Sequence, residues 1–243
     1  MTTRTHASPP PAPLLLQLGM VIFPGLTLLD LIGPQAALGM HAHTHLLWKT
    51  LDPVMSDSGI AIVPTTTFAA CPTTFDILFV PGGLGTNAAM QDAEILAFLR
   101  AHGATARYVT SVCSGALILG AAGLLDGYQA ATHWSAYEAL DALGVEGVHC
   151  RVVADRNRRT GGGVTAGIDF GLSLLAELRG ETAAKVTQLL LEYDPQPPFN
   201  AGSPKTAEPE IVEAVVGMVR GLGDSGLDAM IATARKARAE RVQ

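Results

Sequence analysis

The sequence predicts an α/β protein with a doubly wound, mostly parallel sheet covered by helices on both faces. Segments with strand character alternate with segments of helical spacing along most of the 243 residues. Residues Phe75 to Val80 (FDILFV) are almost continuously apolar, which is typical of a parallel strand buried on both faces. A strand ending at Val112 gives way to a helix almost without a loop. Such strand–turn–helix units place functional side chains at the carboxyl edge of the sheet.

The first half of the chain supplies most of the predicted strands. The apolar run at its start (LLLQLGMVIF) includes Gln17, has no signal-type cleavage site and is too short to cross a bilayer, so it predicts a strand. A Pro24-Gly25 turn leads into the first helix, and the second helix has its apolar side chains on one face. We expect strands at Leu14 to Ile22, His45 to Leu51, Asp57 to Val63 (a short pair) and Phe75 to Val80, and helices at Leu29 to Gly39 and Asp92 to His102.

The second half is predicted to be mainly helical. The basic run RNRR predicts a turn between two paired strands, and Asp169 predicts the N-terminal cap of a helix. We expect strands at Tyr108 to Val112, Arg151 to Asp155 and Gly162 to Thr165, and helices at Ser114 to Ala122, Asp169 to Leu178, Glu181 to Tyr193, Pro209 to Leu222 and Leu227 to Val242.

Composition divides the chain into three parts. Residues 1–13 are polar and proline-rich and are predicted to be disordered. Residues 14–193 carry the strand–helix alternation of the α/β domain. Residues 194–243 begin with a segment rich in proline and glycine and continue with two helical stretches. They predict an extension that packs on the domain or on a partner subunit, too short for a typical pair of DNA-binding helix-turn-helix units.

Charge and cysteine content narrow the class of protein. The apolar fraction of 48% is enough for a substantial core, and the net charge of −6 gives no support for nucleic acid or an anionic membrane as a partner. Three widely separated cysteines fit neither a disulfide framework nor a zinc cluster. They predict a reducing cytoplasm as the compartment.

Cys113 is the candidate nucleophile. It lies at the break between strand and helix, where unpaired backbone N–H groups and the positive end of the helix dipole favour a thiolate. The position corresponds to the nucleophile turn of α/β hydrolases, with cysteine in place of serine. A small buried residue at the end of a strand is the alternative, and the flanking Ser114-Gly115 and the abrupt change of structure favour the nucleophile.

Asp30 and the Gly82-Gly83 turn are expected at the same edge of the sheet. Asp30 has apolar neighbours (LTLLDLIGP), so it is either a helix cap or a partly buried acid with a pKa raised by desolvation or by a nearby thiolate. The glycine turn lacks a dinucleotide or P-loop fingerprint, so its amides are expected to stabilise negative charge. His133 is a further candidate for contact with the site, although the sequence does not fix its distance from Cys113.

Other candidates carry weaker signals. His41, His43 and His45 would share one face of a strand and could bind a metal, but no carboxylate or cysteine has matching spacing, which favours a solvated strand entry. Cys71 and Cys150 have no nucleophile context and are expected to be bystanders.

Several motifs together resemble the DJ-1/PfpI superfamily over about residues 14–193. They are DLIGP, VPGG, VTSVCSGALILGAAGLLDG, ATHW and VTAGID. The resemblance implies a flavodoxin-like fold, a reactive Cys113 and an anion-stabilising pair formed by the Gly83 and Ser114 amides. The acid at position 30 is Asp, where many members have Glu. The later segment LEYDPQPPFNAGSP is similar to that of isocyanide hydratases, which convert an isocyanide and water into an N-substituted formamide.

This similarity implies a specific division of roles. Cys113 would be the nucleophile, Asp30 the acid/base and Ser114 the adjacent hydroxyl, with Gly82, Gly83 and His133 at the substrate, no metal or organic cofactor, and a homodimer as the assembly. Three alternatives stay open: a DJ-1-like glyoxalase, deglycase or peptidase that would need His133 near Cys113; a ligand-sensing domain like those of AraC-type regulators; and a redox sensor in which Cys113 is oxidised.

Overall fold

A seven-stranded sheet forms the centre of this computed structural model, which describes residues 15–242. The predicted tail of residues 1–13 lies outside the described residues. The strands of the described chain are β1 (Leu16–Val21), β2 (Ala42–Trp48), β3 (Val54–Met55), β4 (Ala61–Ile62), β5 (Thr66–Thr67), β6 (Ile77–Val80), β7 (Tyr108–Val112), β8 (Gln129–Ala130), β9 (Glu146–Gly147), β10 (Val152–Asp155) and β11 (Arg158–Gly161).

The order of the main sheet is β10-β11-β7-β6-β1-β2-β5, and only the β10–β11 pair in it is antiparallel. The chain leaves β1 for β2 on one side and leaves β6 for β7 on the other. The point between β1 and β6 is therefore a topological switch, where α/β sheets open a crevice at the carboxyl ends of their strands. This arrangement confirms the predicted doubly wound α/β class.

Helices cover the sheet in two groups. The described helices are α1 (Leu28–Leu38), α2 (Thr86–Ala89), α3 (Ala93–Gly103), α4 (Gly115–Ala121), α5 (Tyr137–Ala142), α6 (Ala166–Arg179), α7 (Glu181–Leu190), α8 (Pro209–Arg220) and α9 (Leu227–Val242). Helices α1, α6 and α7 pack in sequence on one another, while α4 contacts α2, α3, α5 and α9. Right-handed crossovers place these two groups on opposite faces of the sheet.

Helices α1 and α6 approach closely because glycine lies at their contact. A Cβ atom on Gly171 would come within 2.7 Å of the Ala37 Cβ, and one on Gly167 within 2.9 Å of the Pro34 ring. This close packing fixes α1, and with it Asp30, against the sheet. The apolar β6 has every residue buried, as its continuous hydrophobic sequence predicts.

Three strand predictions in the sequence are shifted. The short pair expected at Asp57 to Val63 consists of Val54–Met55 and Ala61–Ile62, because the turn between the two strands lies at Asp57 and its neighbours. The second strand is Ala42–Trp48 rather than His45 to Leu51, because it pairs in parallel register with the whole of β1. The last strand begins at Arg158, inside the predicted RNRR turn, instead of at Gly162. Arg158 tolerates burial because its Nε donates to the Leu124 carbonyl at 2.7 Å and its guanidinium lies 4.4 Å from the Tyr128 ring centre.

The prediction that Asp169 caps a helix is wrong. Helix α6 begins at Ala166, three residues earlier, and Thr165 precedes it without a side-chain cap. Asp169 lies in the first turn, where its charge suits the helix dipole, and it forms an ion pair with Arg151.

The C-terminal segment contains α8, a short 3-10 turn at Gly223–Ser225 and α9. Leu227, Met230 and Ala234 of α9 are buried, and α9 contacts α4 and α5. Unlike α9, helix α8 has no buried residue, and its Ile211 and Met218 side chains are exposed. Among the described residues, no helix is both long and apolar enough to cross a bilayer.

Candidate active site

Cys113 occupies a strained turn between β7 and α4. Its φ of 59° lies in the left-handed region that non-glycine residues rarely adopt. Its amide donates to the carbonyls of Gly161 (3.1 Å) and Gly162 (2.7 Å), and its own carbonyl accepts the Thr132 hydroxyl at 2.9 Å. These three hydrogen bonds hold Cys113 in the sharp strand-to-helix turn that the sequence predicts for a nucleophile.

Asp30 lies in the first turn of α1 and is completely buried. Its Oδ2 accepts the Gly82 amide proton at 2.9 Å, while Oδ1 has no hydrogen-bond partner among residues 15–242. The carboxyl group interacts directly with the Cys113 thiol. The structure thus brings together the two residues that the sequence places after separate strands.

Gly82 permits this close arrangement. A Cβ atom at Gly82 would lie 2.5 Å from both the amide nitrogen and the Oγ of Ser114, and 3.0 Å from Asp30 Oδ2. Gly83 follows with a φ of 140° and forms a β-bridge to Leu26. Any larger residue at position 82 would push the acid and the nucleophile turn apart.

The Gly83 and Ser114 amides, which are expected to be an anion-stabilising pair, both have partners within the site. The Gly83 amide donates to Ser114 Oγ at 3.1 Å, so a side chain of the site already occupies it. The Ser114 amide acts on the Cys113 sulfur instead. Ser114 Oγ also lies 2.7 Å from Thr86 Oγ1, a buried hydroxyl that the sequence analysis did not single out.

Burial controls the ionisation of the pair. Burial raises the pKa of Asp30 to about 7, against the hydrogen bond from Gly82 and the contact with Cys113. Burial also raises the pKa of the Cys113 thiol well above its usual value, and the Asp30 carboxylate raises it further. The Ser114 amide and hydroxyl favour the thiolate but are outweighed.

This result supports one expectation and gives no support to another. Asp30 is the acid with a raised pKa that its apolar neighbours predict. A resting thiolate at Cys113 gains no support, because desolvation by burial and then the Asp30 carboxylate raise the pKa of the thiol. Near neutral pH the resting pair holds a thiol beside a carboxyl group that exchanges its proton.

His133 makes no hydrogen bond to the nucleophile among residues 15–242, although its ring lies next to Gly163. Its Nδ1 pairs with the Ser135 hydroxyl at 2.8 Å, and burial lowers its pKa. Within residues 15–242 no hydrogen bond or charge interaction joins it to Cys113. Its neighbour Thr132 makes the contact with the nucleophile turn instead.

The other candidates have local partners. Cys71 Sγ donates to the Phe68 carbonyl, and Cys150 is exposed. His45 pairs with Gln17 and His41 with Thr187. No group of three or more side chains of the types that bind metals could hold an ion in the part of the chain that the structure describes.

Thr86 and Thr132 are the site residues that sequence reasoning missed. Thr86 comes three residues after the recognised VPGG motif, and Thr132 is the second residue of the recognised ATHW motif. A buried hydroxyl at the carboxyl edge of the sheet was the available signal, but threonine is too common in turns for sequence alone to single it out.

The raised pKa of Asp30 predicts a specific dependence of stability on pH. The native carboxyl binds its proton more tightly than the unfolded one, from 3.8 to about 7, so its contribution to stability is lost as pH rises through that window. Removing the charge by Asp30→Asn should therefore raise the free energy of unfolding relative to the wild type by roughly 2–3 kcal/mol more at pH 8 than at pH 5. Urea unfolding at both pH values measures this difference.

The matched control is Asp141→Asn, which changes an exposed aspartate on α5. Its stability difference from the wild type should be nearly the same at the two pH values. An equal response of both variants would show that the Asp30 carboxyl is not held with a raised pKa.

Comparisons with known proteins agree with the fold. Residues 18–177 match the model of the DJ-1/PfpI family. An isonitrile hydratase of Pseudomonas putida is 50% identical over 200 residues, which cover 82% of this chain and 87% of that protein. The transcriptional regulator GbdR of Pseudomonas aeruginosa is 29% identical over 79% of this chain, and the match spans 54% of the regulator.

Solved structures extend the agreement to the fold. A THiJ/PfpI family protein from Pseudomonas syringae superposes with a TM-score of 0.86 at 48% identity, covering 97% of this chain and 98% of that one. DJ-1 of Toxoplasma gondii shares the fold at 19% identity, with a TM-score of 0.65 over 74% of this chain and all of that one. The family match over most of the α/β domain and the architecture around Cys113 lead to one conclusion: this chain belongs to the DJ-1/PfpI family.

Proposed function

We propose that this protein is an isocyanide hydratase, which adds water to an isocyanide to give an N-substituted formamide. The observation that carries the proposal is the 50% identity to the isonitrile hydratase of Pseudomonas putida over most of both chains, isonitrile being another word for isocyanide. The buried Asp30–Cys113 pair supports it, because the reaction needs a soft nucleophile and a proton at the same carbon.

In the first half of the proposed reaction the pair adds a thiol across the isocyanide carbon. The Asp30 carboxylate accepts the Cys113 thiol proton as the sulfur attacks the terminal carbon, and the new C–S bond forms. Asp30 then gives that proton to the same carbon. The product is a thioimidate, R–N=CH–S–Cys113, and Asp30 is ionised again.

In the second half the ionised Asp30 activates water. Asp30 takes a proton from water while the oxygen attacks the thioimidate carbon, and the nitrogen receives that proton. The tetrahedral adduct R–NH–CH(OH)–S–Cys113 collapses with cleavage of the C–S bond. Its hydroxyl proton returns to the sulfur, which releases R–NH–CHO and regenerates the thiol. One isocyanide and one water are consumed, and the steps use no metal or organic cofactor.

The remaining site residues support this pair. Ser114 keeps its backbone amide and hydroxyl toward the sulfur, where they stabilise negative charge during attack and collapse. Gly82 and Gly83 form the wall that orients Asp30 and Ser114 through their amides. Contact of His133 with substrate stays a prediction, and a cytoplasmic location likewise rests on the sequence.

One alternative function has an observation in its favour. The match to GbdR supports a ligand-sensing domain related to transcriptional regulators. A sensor would bind a small molecule without turnover, so formamide production by the purified protein separates the two functions. A thiol hydrolase is less well supported, because His133 pairs with Ser135 instead of the nucleophile.

The first functional prediction concerns the nucleophile. Cys113→Ala should abolish formamide production from an alkyl or aryl isocyanide, because no C–S bond can form. Cys71→Ala and Cys150→Ala are the controls and should keep wild-type turnover, since both thiols have local partners outside the site. Undiminished turnover by Cys113→Ala would contradict a mechanism in which Cys113 is the nucleophile.

The second concerns proton transfer. Asp30→Asn preserves size but cannot move a proton, so kcat should fall by about 10²–10⁴-fold while iodoacetamide still alkylates Cys113. In the wild type, kcat/KM should fall about tenfold per pH unit below the Asp30 pKa of about 7, because the carboxylate must be ionised to accept the thiol proton. A loss below about tenfold in Asp30→Asn would assign proton transfer elsewhere, with water or His133 the next candidates.

The third concerns assembly. We expect a homodimer in which helices near the site or in the extension bury apolar positions such as Ile211, Val215 and Val219. Of these, Ile211 is exposed in the single chain, Val215 is half-buried and Val219 packs partly against the core. Light scattering at micromolar protein should give about twice the chain mass of 25.3 kDa. Ile211→Glu should shift the mass toward the monomer, while Glu213→Gln on the same helix should not. A monomer mass for the wild type would contradict the prediction.

A further inference from the structure

We propose that Thr86 is a positioning residue, which turns the Ser114 hydroxyl hydrogen onto the Cys113 sulfur through a chain of donors from α2 to the nucleophile. The inference deepens the proposed function, since it assigns a residue to the same site. Its principal test uses the reactivity of Cys113 alone and does not depend on which substrate the protein accepts.

The geometry of three neighbouring groups carries the proposal. Thr86 is completely buried and its Oγ1 lies 2.7 Å from Ser114 Oγ. The Gly83 amide donates to the same Ser114 oxygen at 3.1 Å. Ser114 Oγ therefore has two neighbours from the VPGG turn and α2, and its hydroxyl also interacts with the Cys113 thiol, where it favours the thiolate.

The numbers of donors and acceptors determine the direction of the hydrogen bonds between Thr86, Ser114 and Cys113. A hydroxyl has one hydrogen and two lone pairs, and the Gly83 amide uses one lone pair of Ser114 Oγ. If Ser114 donated to Thr86, the buried Thr86 hydrogen would have no acceptor among residues 15–242, which costs about 1–3 kcal/mol. Thr86 therefore donates to Ser114, and the Ser114 hydrogen is left for the sulfur.

Helix α2 holds the Thr86 hydroxyl in place. The Thr86 amide donates to the Gly83 carbonyl at 3.1 Å, which ties the helix to the glycine turn. The next residue, Asn87, donates from its side chain to the Asp224 carbonyl at 2.7 Å, which ties α2 to the C-terminal segment. A four-residue helix anchored at both sides gives Thr86 a fixed position next to Ser114.

These hydrogen bonds make the Ser114 hydroxyl a stronger donor to the Cys113 sulfur. Because Ser114 Oγ accepts two hydrogen bonds, its own hydrogen becomes a better donor to the sulfur. This bond favours negative charge on sulfur, which develops when the thiol proton leaves and again when the C–S bond breaks. Thr86 touches neither sulfur nor substrate and acts only through Ser114.

The experiment measures the alkylation rate of Cys113 by iodoacetamide from pH 6 to 10, read by mass spectrometry of the peptide that contains it. Thr86→Val removes the hydroxyl and keeps the branched shape, so the profile should move to higher pH and the rate at pH 8 should fall roughly three- to tenfold. Thr86→Ser keeps the hydroxyl and should return the rate to within about twofold of the wild type. Thr187→Val, a buried threonine on α7 whose hydroxyl pairs with His41, is the matched control and should leave the profile unchanged.

A double-mutant cycle separates this role from general support of the fold. In a Ser114→Ala background Thr86→Val should have no further effect on the profile, because the hydroxyl through which Thr86 acts is gone. An unchanged profile for Thr86→Val, or an equal shift with and without Ser114, would overturn the proposal. Thr86→Ala replaces Thr86→Val in the same cycle if valine prevents folding.

Isocyanide turnover is measured separately on the same variants. A shifted alkylation profile in a protein that makes no formamide would refute the proposed function and leave the role of Thr86 intact. Normal formamide production with an unshifted alkylation profile would refute the role of Thr86 and leave the proposed function intact.

Discussion

The burial of the Asp30 carboxyl group beside the Cys113 sulfur is the constraint on which the site depends. A carboxyl group removed from water loses much of its hydration, and here it keeps the hydrogen bond from the Gly82 amide and the interaction with the Cys113 thiol. Burial raises the pKa of the Asp30 carboxyl group to about 7, so this group can both accept and donate a proton near neutral pH. The close packing of α1 on α6 holds the carboxyl group in this position, and the absence of a side chain at Gly82 leaves room for it.

The topology of the sheet assembles the pair from distant parts of the sequence. Asp30 follows β1, Gly82 follows β6 and Cys113 follows β7, and these three strands are adjacent and parallel. Their carboxyl ends meet at one edge, next to the switch between β1 and β6. Strand–helix alternation in the sequence is enough to predict this convergence, because the rule for doubly wound sheets depends on strand order and direction and not on side-chain detail.

What the sequence could not predict depends on distances between side chains. The thiolate expected at Cys113 came from a local feature, the start of a helix, whereas the raised pKa of the thiol comes from burial by the whole core. The hydrogen bond from the Gly83 amide to Ser114 Oγ is likewise a contact that only the folded structure reveals. Shifts of strand ends at Ala42 and Arg158 have the same origin, since pairing with a neighbouring strand overrides local composition.

The choice of aspartate at position 30 follows from the room available. Asp30 is completely buried, and its Oδ2 already lies within hydrogen-bond distance of Gly82, which itself has no space for a Cβ atom. An added methylene, as in glutamate, would have to displace α1 or the glycine turn, and overpacking of this kind typically costs about 1–3 kcal/mol. Position 30 therefore has room for aspartate, and the longer acid would strain this arrangement of α1 and the glycine turn. The short side chain of Asp30 and the tight α1–α6 contact act together, because the position of α1 sets the distance over which a proton moves between Asp30 and Cys113.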